Sequence, residues 1–240
     1  MKNKIDLTLI LPCYREARIF NENVTQIIDV LNLARLSFEI IFVDDKSPDD
    51  TVQLIKKACK KYSFCQALYH TINTGRGRAV SDGIKAAKGT CVGYIDIDLE
   101  VSPVYIPFLA RQILLGKTDI AIGNRLYLTS LQDIPRAILS QGYKWLSNQL
   151  LGTKGLDTES GYKFFNRKKI LPVLGKTRHQ HWFWDTEVMV YANRAGLRIA
   201  VVPVLFLRRT DKESTVNMLR DIPDYLVSLW RFRTRLEKEN

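Results

Sequence analysis

Along its first half this chain alternates short apolar, β-branched runs with segments of helical period, and that alternation limits it to a small set of folds. Leu7-Thr8-Leu9-Ile10-Leu11 reads as a strand stopped by Pro12, followed at helical spacing by Ile19, Val24, Ile27, Ile28, Leu31 and Leu36. Ile40-Ile41-Phe42-Val43 reads as a second strand, closed by the polar cluster Asp44 to Asp50. Asp49 or Asp50 can cap the helix that carries Val52, Leu54 and Ile55. A third strand, Gln66 to Tyr69, leads through Asn73-Thr74-Gly75-Arg76-Gly77 to a helix from Arg78 to Ala87. A fourth, Cys91-Val92-Gly93-Tyr94-Ile95, ends at Asp96; a helix starts near Pro103 and a fifth strand spans Asp119 to Gly123. Such units predict an α/β fold: a single Rossmann-like domain with a mostly parallel central sheet, peripheral amphipathic helices, and ligands bound beyond the carboxyl ends of the strands.

The second half is less regular. Arg136 to Leu151 reads as an amphipathic helix with the stripe Ile134, Ile138, Leu139, Tyr143, Leu146 and Leu150, which fits a core face or a membrane contact. Gly161 to Phe165 reads as a strand, Asp185 to Ala195 as a helix, and Arg198 to Leu207 as a strand pair or one long strand. From Val216 a last helix carries Leu219, Ile222, Leu226, Leu229 and Trp230 beside Arg220, Arg231, Arg233 and Arg235. The expected division is a main domain over 1–215 and a basic amphipathic helix over 216–240, able to rest on an anionic membrane.

With 240 residues, 46% of them hydrophobic, the chain can bury one full core. Its net charge of +11 admits a polyanionic partner: nucleic acid, an anionic lipid surface or a phosphorylated substrate. Aromatic residues are not interleaved with a basic stripe, so no nucleic-acid partner is expected. Cys13, Cys59, Cys65 and Cys91 lack Cys-x-x-Cys spacing and read as buried thiols of a reducing compartment. No signal peptide or membrane-spanning run is visible. The expected location is cytoplasmic, peripheral on the cytoplasmic face of a membrane, where a membrane-spanning partner subunit could supply an anchor.

Two aspartates carry the chemistry. Side chains two apart in a strand share a face, so Asp96 and Asp98 can aim at one spot as the fourth strand leaves the core. Hard anionic oxygens suit Mg²⁺ or Mn²⁺, which keep positions open for phosphate oxygens. Tyr14 to Glu16, Asp44 with Asp45, and Asn73 to Gly77 also follow apolar strands and belong on the same rim.

These residues resemble a known family. The opening Leu11-Pro12-Cys13-Tyr14-Arg15-Glu16, the Val43 to Thr51 turn, the Asn73 to Ala79 loop, Asp96-Ile97-Asp98-Leu99-Glu100, Gly123-Asn124-Arg125, Ser160 to Phe165, and Pro203 to Phe206 with Arg209 and Ser214 occur in one order. It is the order of the family 2 glycosyltransferases of the GT-A fold, and within them of polyprenyl-phosphate sugar transferases of the dolichol-phosphate mannosyltransferase type. The resemblance implies a nucleotide site of Pro12, Tyr14, Glu16, Asp44, Asp45, Asn73, Gly75, Arg209 and Ser214. It implies Asp96 and Asp98 as ligands of Mg²⁺ or Mn²⁺, with Glu100 available as a third. Arg125, Arg136 and Ser140 match positions that hold an acceptor phosphate, and Asp98 and Asp185 complete the catalytic candidates.

Arg15 stands where that family has asparagine, Lys46 where it has glycine, and Lys212 and Thr215 replace the glycine and lysine of the closing loop. Trp184-Asp185-Thr186-Glu187 resembles the Phe-Asp-x-Glu of glucosyl-type relatives. The expected reaction is inverting, metal-dependent transfer of mannose or glucose from a GDP- or UDP-linked sugar to a polyprenyl (dolichyl) phosphate in a membrane. A transferase acting on a sugar hydroxyl, with Asp185 as base, is the second enzyme reading; a non-catalytic basic binding module is the alternative of another class.

Overall fold

In the computed structural model the described residues are 4–127, 142, 145–153, 157–209 and 218–239, with the side chains of the last helix described from 224 onward. In chain order they form β1 (Leu7–Cys13), α1 (Phe20–Leu33), β2 (Phe38–Asp44), α2 (Thr51–Lys61), β3 (Cys65–Tyr69), α3 (Arg76–Ala86), β4 (Cys91–Ile95), α4 (Ile106–Leu114) and β5 (Ile120–Tyr127). A helical segment α5 over 145–151 follows. Then come β6 (Tyr162–Asn166), α6 (Arg167–Leu174), α7 (Trp184–Arg194), β7 (Ile199–Phe206) and α8 (Met218–Lys238).

The seven strands make one sheet in the order β3-β2-β1-β4-β6-β5-β7. β1 pairs in parallel with β2 and β4, β2 with β3, and β5 with β7, whereas β6 runs antiparallel between β4 and β5. Alternation along each strand separates two cores. Leu9, Leu11, Ile40 and Phe42 face α1, α2 and α4 through Ile27, Leu31, Ile55 and Leu109, while Ile10, Ile41, Val43 and Tyr94 face α3 and α7 through Val80, Ile84, Trp184 and Val188. On the second face Gly83 of α3 lies so close to Ile10 that a Cβ would stand 2.6 Å from its Cγ2, so the small residue lets the helix settle onto the sheet.

Several expectations change. β1 does not stop at Pro12 but runs on to Cys13, because Pro12 lies past the last β1–β4 pair, Ile10 with Tyr94, where its missing N–H leaves that ladder intact. Residues 199–206 form one strand, paired with β5 along its whole length. α6 was not anticipated; the Asn166 side chain caps it by accepting from the Lys169 N–H at 3.4 Å.

α8, expected as a segment apart, belongs to the core. Leu229, Phe232 and Leu236 are buried in the cluster that contains Phe183, Trp184 and Tyr191, about 2 kcal/mol of apolar burial for each. Leu226, Val227 and Trp230 remain exposed on its other side. Leu146 and Leu150 of α5 pack against the same cluster, which is the core reading of that stripe; Ile134, Ile138, Leu139 and Tyr143 lie outside the described residues. Among the described residues no helix is long and apolar enough to cross a membrane.

Candidate active site

From β1 the chain winds outward to β2 and β3 on one side, and β4 returns on the other, so the strand order reverses between β1 and β4. The crevice at the carboxyl ends of such strands is where ligands bind in doubly wound sheets. Three of the loops leaving this rim each carry a non-glycine residue in the left-handed region: Arg15 (φ 60°) after β1, Lys46 (φ 64°) after β2 and Leu99 (φ 55°) after β4. Each costs about 1–2 kcal/mol. Local strain of this kind persists where the surroundings hold the backbone in place; here the Arg15 N–H donates to Ser47 Oγ at 3.2 Å, tying the first loop to the second.

The two adjacent aspartates after β2 have different fates. Asp45 Oδ1 accepts from the Thr74 N–H (2.8 Å) and hydroxyl (2.9 Å) and lies 2.7 Å from His70 Nδ1, while Oδ2 accepts from the Gly75 N–H at 2.7 Å. Burial alone would raise this carboxyl's pKa, but the donors of Thr74, His70 and Gly75 outweigh it and hold the value below normal. Asn73 Nδ2 adds a bond to the Asp45 carbonyl at 3.1 Å. Asp45, Asn73 and Gly75 therefore bind one another and shape the loop. Asp44 is 2% exposed; its Oδ2 accepts from the Ser47 N–H at 3.2 Å and its Oδ1 is buried without a hydrogen-bond partner. A buried carboxylate oxygen with no donor is costly, and it marks Asp44 as the member of the pair able to accept from a ligand. Asp49, rather than Asp50, serves the start of α2: its Oδ1 accepts from the Thr51 N–H (3.2 Å) and hydroxyl (2.6 Å). The Glu16 N–H in turn donates to Thr51 Oγ1 at 2.9 Å. Tyr14 is half-buried with Arg15 5.3 Å from its ring centre, and Pro12 is half-buried at the end of β1.

At the end of β4 a charged network fills the floor of the crevice. Asp96 Oδ1 accepts Arg76 Nε at 2.8 Å and lies 2.7 Å from Arg76 Nη2, while Arg76 Nη1 donates to Asp185 Oδ2 at 2.7 Å. Asp185 Oδ1 accepts Lys163 Nζ at 2.7 Å and also the Tyr94 hydroxyl. Lys163, fully buried, donates further to the carbonyls of Thr158 (2.9 Å) and Ser160. Burial lowers the lysine's pKa and Asp185 opposes that shift. For Arg76 the order reverses: burial works against the charge, but Asp96 and Asp185 prevail and raise its pKa. Asp185, a candidate base, thus has both oxygens occupied by Arg76, Lys163 and Tyr94 and acts as an anchor.

Asp98 lies beside Glu100, whose pKa is raised by burial and then by Asp98. Glu100 Oε1 accepts from the Arg209 N–H at 3.2 Å, and Arg209 Nη1 donates to the Asp98 carbonyl at 3.4 Å, so Arg209 does reach the rim. Among the described residues no three His, Cys, Asp or Glu side chains gather into a metal-holding group. Asp96, Asp98 and Glu100 are thus not gathered into one group, and because β4 ends at Ile95 and residues 97–98 form a turn, the strand spacing expected to aim Asp96 and Asp98 at one spot does not apply; their carboxylates remain the hard oxygens that suit Mg²⁺ or Mn²⁺. Arg125 is also committed, its Nε and Nη2 gripping the two oxygens of buried Asp157 at 2.9 and 3.0 Å. Arg136, Ser140 and Ser214 lie outside the described residues.

Residues 8–195 match the glycosyl transferase family 2 domain. The chain belongs to that family. It is 29% identical to glycosyltransferase AglD of Haloferax volcanii over 91% of this chain and 35% of that one. It is 28% identical to the dolichyl-phosphate beta-glucosyltransferase ALG5A of Trichomonas vaginalis (82% and 64%) and 27% identical to a dolichyl-phosphate beta-glucosyltransferase of Dictyostelium discoideum (97% and 80%). The chain thus spans about a third of AglD and just under two thirds of ALG5A. Glucosyl-3-phosphoglycerate synthase of Mycobacterium tuberculosis, solved with Mn²⁺, UDP and glucosyl-3-phosphoglycerate, superposes with a TM-score of 0.72 at 18% identity, covering 95% of this chain and 80% of that one. This likeness establishes the GT-A fold.

Within the family frame the departures at Arg15 and Lys46 have a concrete meaning: both adopt the left-handed backbone that asparagine and glycine take most easily. Arg76 and Lys163 lie inside the segments Asn73 to Ala79 and Ser160 to Phe165, which by themselves give neither residue a role. A lysine inside the apolar run Tyr162 to Phe165 was the available signal, because a buried ammonium needs a partner anion. That its partner is Asp185 could be learned only from the fold.

Proposed function

We propose that this family 2 glycosyltransferase moves glucose, with inversion, from UDP-glucose to a polyprenyl (dolichyl) phosphate. The observation that carries the reading is the crevice at the β1/β4 switch point, in which Asp44 keeps an unpartnered oxygen and the turn that follows β4 carries Asp96 and Asp98. Asp44 would accept from a base N–H, with Tyr14, Pro12 and Glu16 around the nucleoside and Arg209 closing from α1's side, where its Nη1 reaches Asn23 Oδ1 at 3.4 Å. Asp96 and Asp98 would hold Mg²⁺ or Mn²⁺, which when bound neutralises the diphosphate leaving group.

The acceptor follows from proton chemistry. A phosphate monoester has a second pKa of about 6 and is mostly ionised near neutrality, so no strong base is required. That agrees with Asp185 being saturated by donors. The relatives named as dolichyl-phosphate beta-glucosyltransferases support glucose over mannose, and the solved neighbours that hold UDP with Mn²⁺ or Mg²⁺ support UDP over GDP. A lipid acceptor places the reaction at a membrane surface.

The deciding experiment offers UDP-glucose, UDP-galactose and GDP-mannose, each labelled in the sugar, with Mg²⁺ or Mn²⁺ and polyprenyl phosphate in vesicles. Label extracted into organic solvent from UDP-glucose alone is the expected result. Label appearing only in a water-soluble glycan would favour transfer to a sugar hydroxyl.

A further inference from the structure

We propose that Arg76 latches the metal seat: in the free protein its guanidinium occupies Asp96, and the donor's diphosphate draws it away, so that the divalent cation binds well only once the nucleotide is present. This rests on the donor and metal reading above and adds an order to it. Arg76 Nε donates to Asp96 Oδ1 at 2.8 Å, and Nη2 lies 2.7 Å from the same oxygen without a hydrogen bond, a buried donor still to be satisfied. Asp96 is 40% exposed at its side chain whereas Arg76 is 10% exposed, so the carboxylate faces the crevice while the guanidinium is held beneath it. The rings of Tyr94 and Trp182 each lie 5.3 Å from the guanidinium carbon, and Nη1 stays on Asp185, itself fixed by Lys163 and Tyr94. Arg76 therefore has one permanent anchor and one exchangeable partner.

On the far side of the pair, Gly161 leaves room: a Cβ there would overlap Asp96 Oδ2 and stand 2.7 Å from Arg76 Nη2. A dication and a guanidinium on the same carboxylate repel each other, strongly at such short range. Two carboxylates also leave a six-coordinate hard ion short of ligands. A diphosphate resolves both conflicts. Its oxygens accept the arginine fork as readily as a carboxylate does, which frees Asp96, and they complete the coordination. Nucleotide and cation then favour each other by the same factor.

The test measures Mn²⁺ affinity, from the electron paramagnetic resonance of free Mn²⁺, with and without UDP, for the wild type, Arg76→Gln, Arg76→Lys and Asp185→Asn. Circular dichroism melting verifies folding. The expected result is weak Mn²⁺ binding by the wild type alone, tightened about tenfold or more by UDP, and Arg76→Gln binding Mn²⁺ alone about tenfold tighter than the wild type. Arg76→Lys, which keeps the charge but not the fork, gains a few-fold on the same basis and carries the test if the glutamine variant does not fold. Asp185→Asn disturbs the same network without freeing Asp96 and gains nothing. Equal Mn²⁺ affinities for the wild type and both Arg76 variants overturn the latch while leaving the transferase reading standing, and a gain in Asp185→Asn matching that of Arg76→Gln overturns it as well. No Mn²⁺ binding by the wild type even with UDP removes both readings.

Discussion

Lys163 Nζ lies 2.7 Å from Asp185 Oδ1, and neither side chain is more than 2% exposed. The pair joins β6 to α7 below the crevice and ties the carbonyls of Thr158 and Ser160 to the same point. Replacing one member of a buried ion pair leaves the other without its counter-charge, so Lys163→Met is expected to cost about 3 kcal/mol. Urea unfolding followed by circular dichroism measures it. A loss below about 1 kcal/mol would mean that Arg76 and Tyr94 suffice for Asp185.

Asp45 provides a pH signature. Its folded pKa lies below the ordinary 3.8, so its contribution is fully present above that value and disappears as pH falls through the folded one. Asp45→Asn should cost about 2 kcal/mol near neutrality, the scale of hydrogen bonds to a charged group. The gap between variant and wild type should close as pH falls below 3.8 and through the lowered folded value. Stability curves at several pH values check this, and a gap independent of pH would count against it.

Gly161→Ala pushes a methyl into the place of Asp96 Oδ2. Since a displacement of about 1 Å at reacting groups can cost 100-fold, sugar transfer should fall by about that factor. The melting temperature should respond less than transfer, because the atom the methyl overlaps belongs to Asp96, which is 40% exposed, while the buried Arg76 Nη2, 2.7 Å from that methyl, has to yield by only a few tenths of an ångström. Parallel assays of transfer and melting separate the two effects.

Asp98→Asn removes one hard anionic oxygen from the proposed seat. Loss of charge stabilisation at a leaving group costs about 10²–10³ in rate, and turnover should fall at least that far while the fold persists. Near-normal transfer by this variant would falsify the metal assignment.

Glu187 couples the last helix to the site. Its Oε2 accepts from the N–H groups of Arg178 (2.7 Å) and His179 (2.8 Å), and its Oε1 holds the Arg235 guanidinium of α8. Glu187→Gln should weaken this buried link by about 3 kcal/mol and expose α8 to protease. Limited trypsin digestion, with cleavage at Arg231 or Arg233 faster than in the wild type, is the readout.

Much of this protein was legible in its residues. Most of the strand and helix order, α6 excepted, and the rim that carries Asp44, Asp45 and Asp96 follow from apolar periodicity and from polar motifs at strand ends, which are local properties of the chain, while the family was legible through the resemblance of those motifs to known members. The place of α8 in the core was not legible, because an amphipathic basic helix looks the same whether its apolar stripe meets Trp184 and Phe183 or a lipid surface.

Sequence alone determined which groups are present at the rim: carboxylates after β2 and β4, and glycines after β3. Only the tertiary structure decided their duties. It gave Asp45 to Thr74 and Gly75 and left Asp44 with a free oxygen; it gave Arg125 to Asp157 and set Arg76 across Asp96 and Asp185. The reason is that a charged side chain's role depends on which partner satisfies it once water is excluded. Partners separated by 109 residues, as Arg76 and Asp185 are, meet only when the sheet has formed.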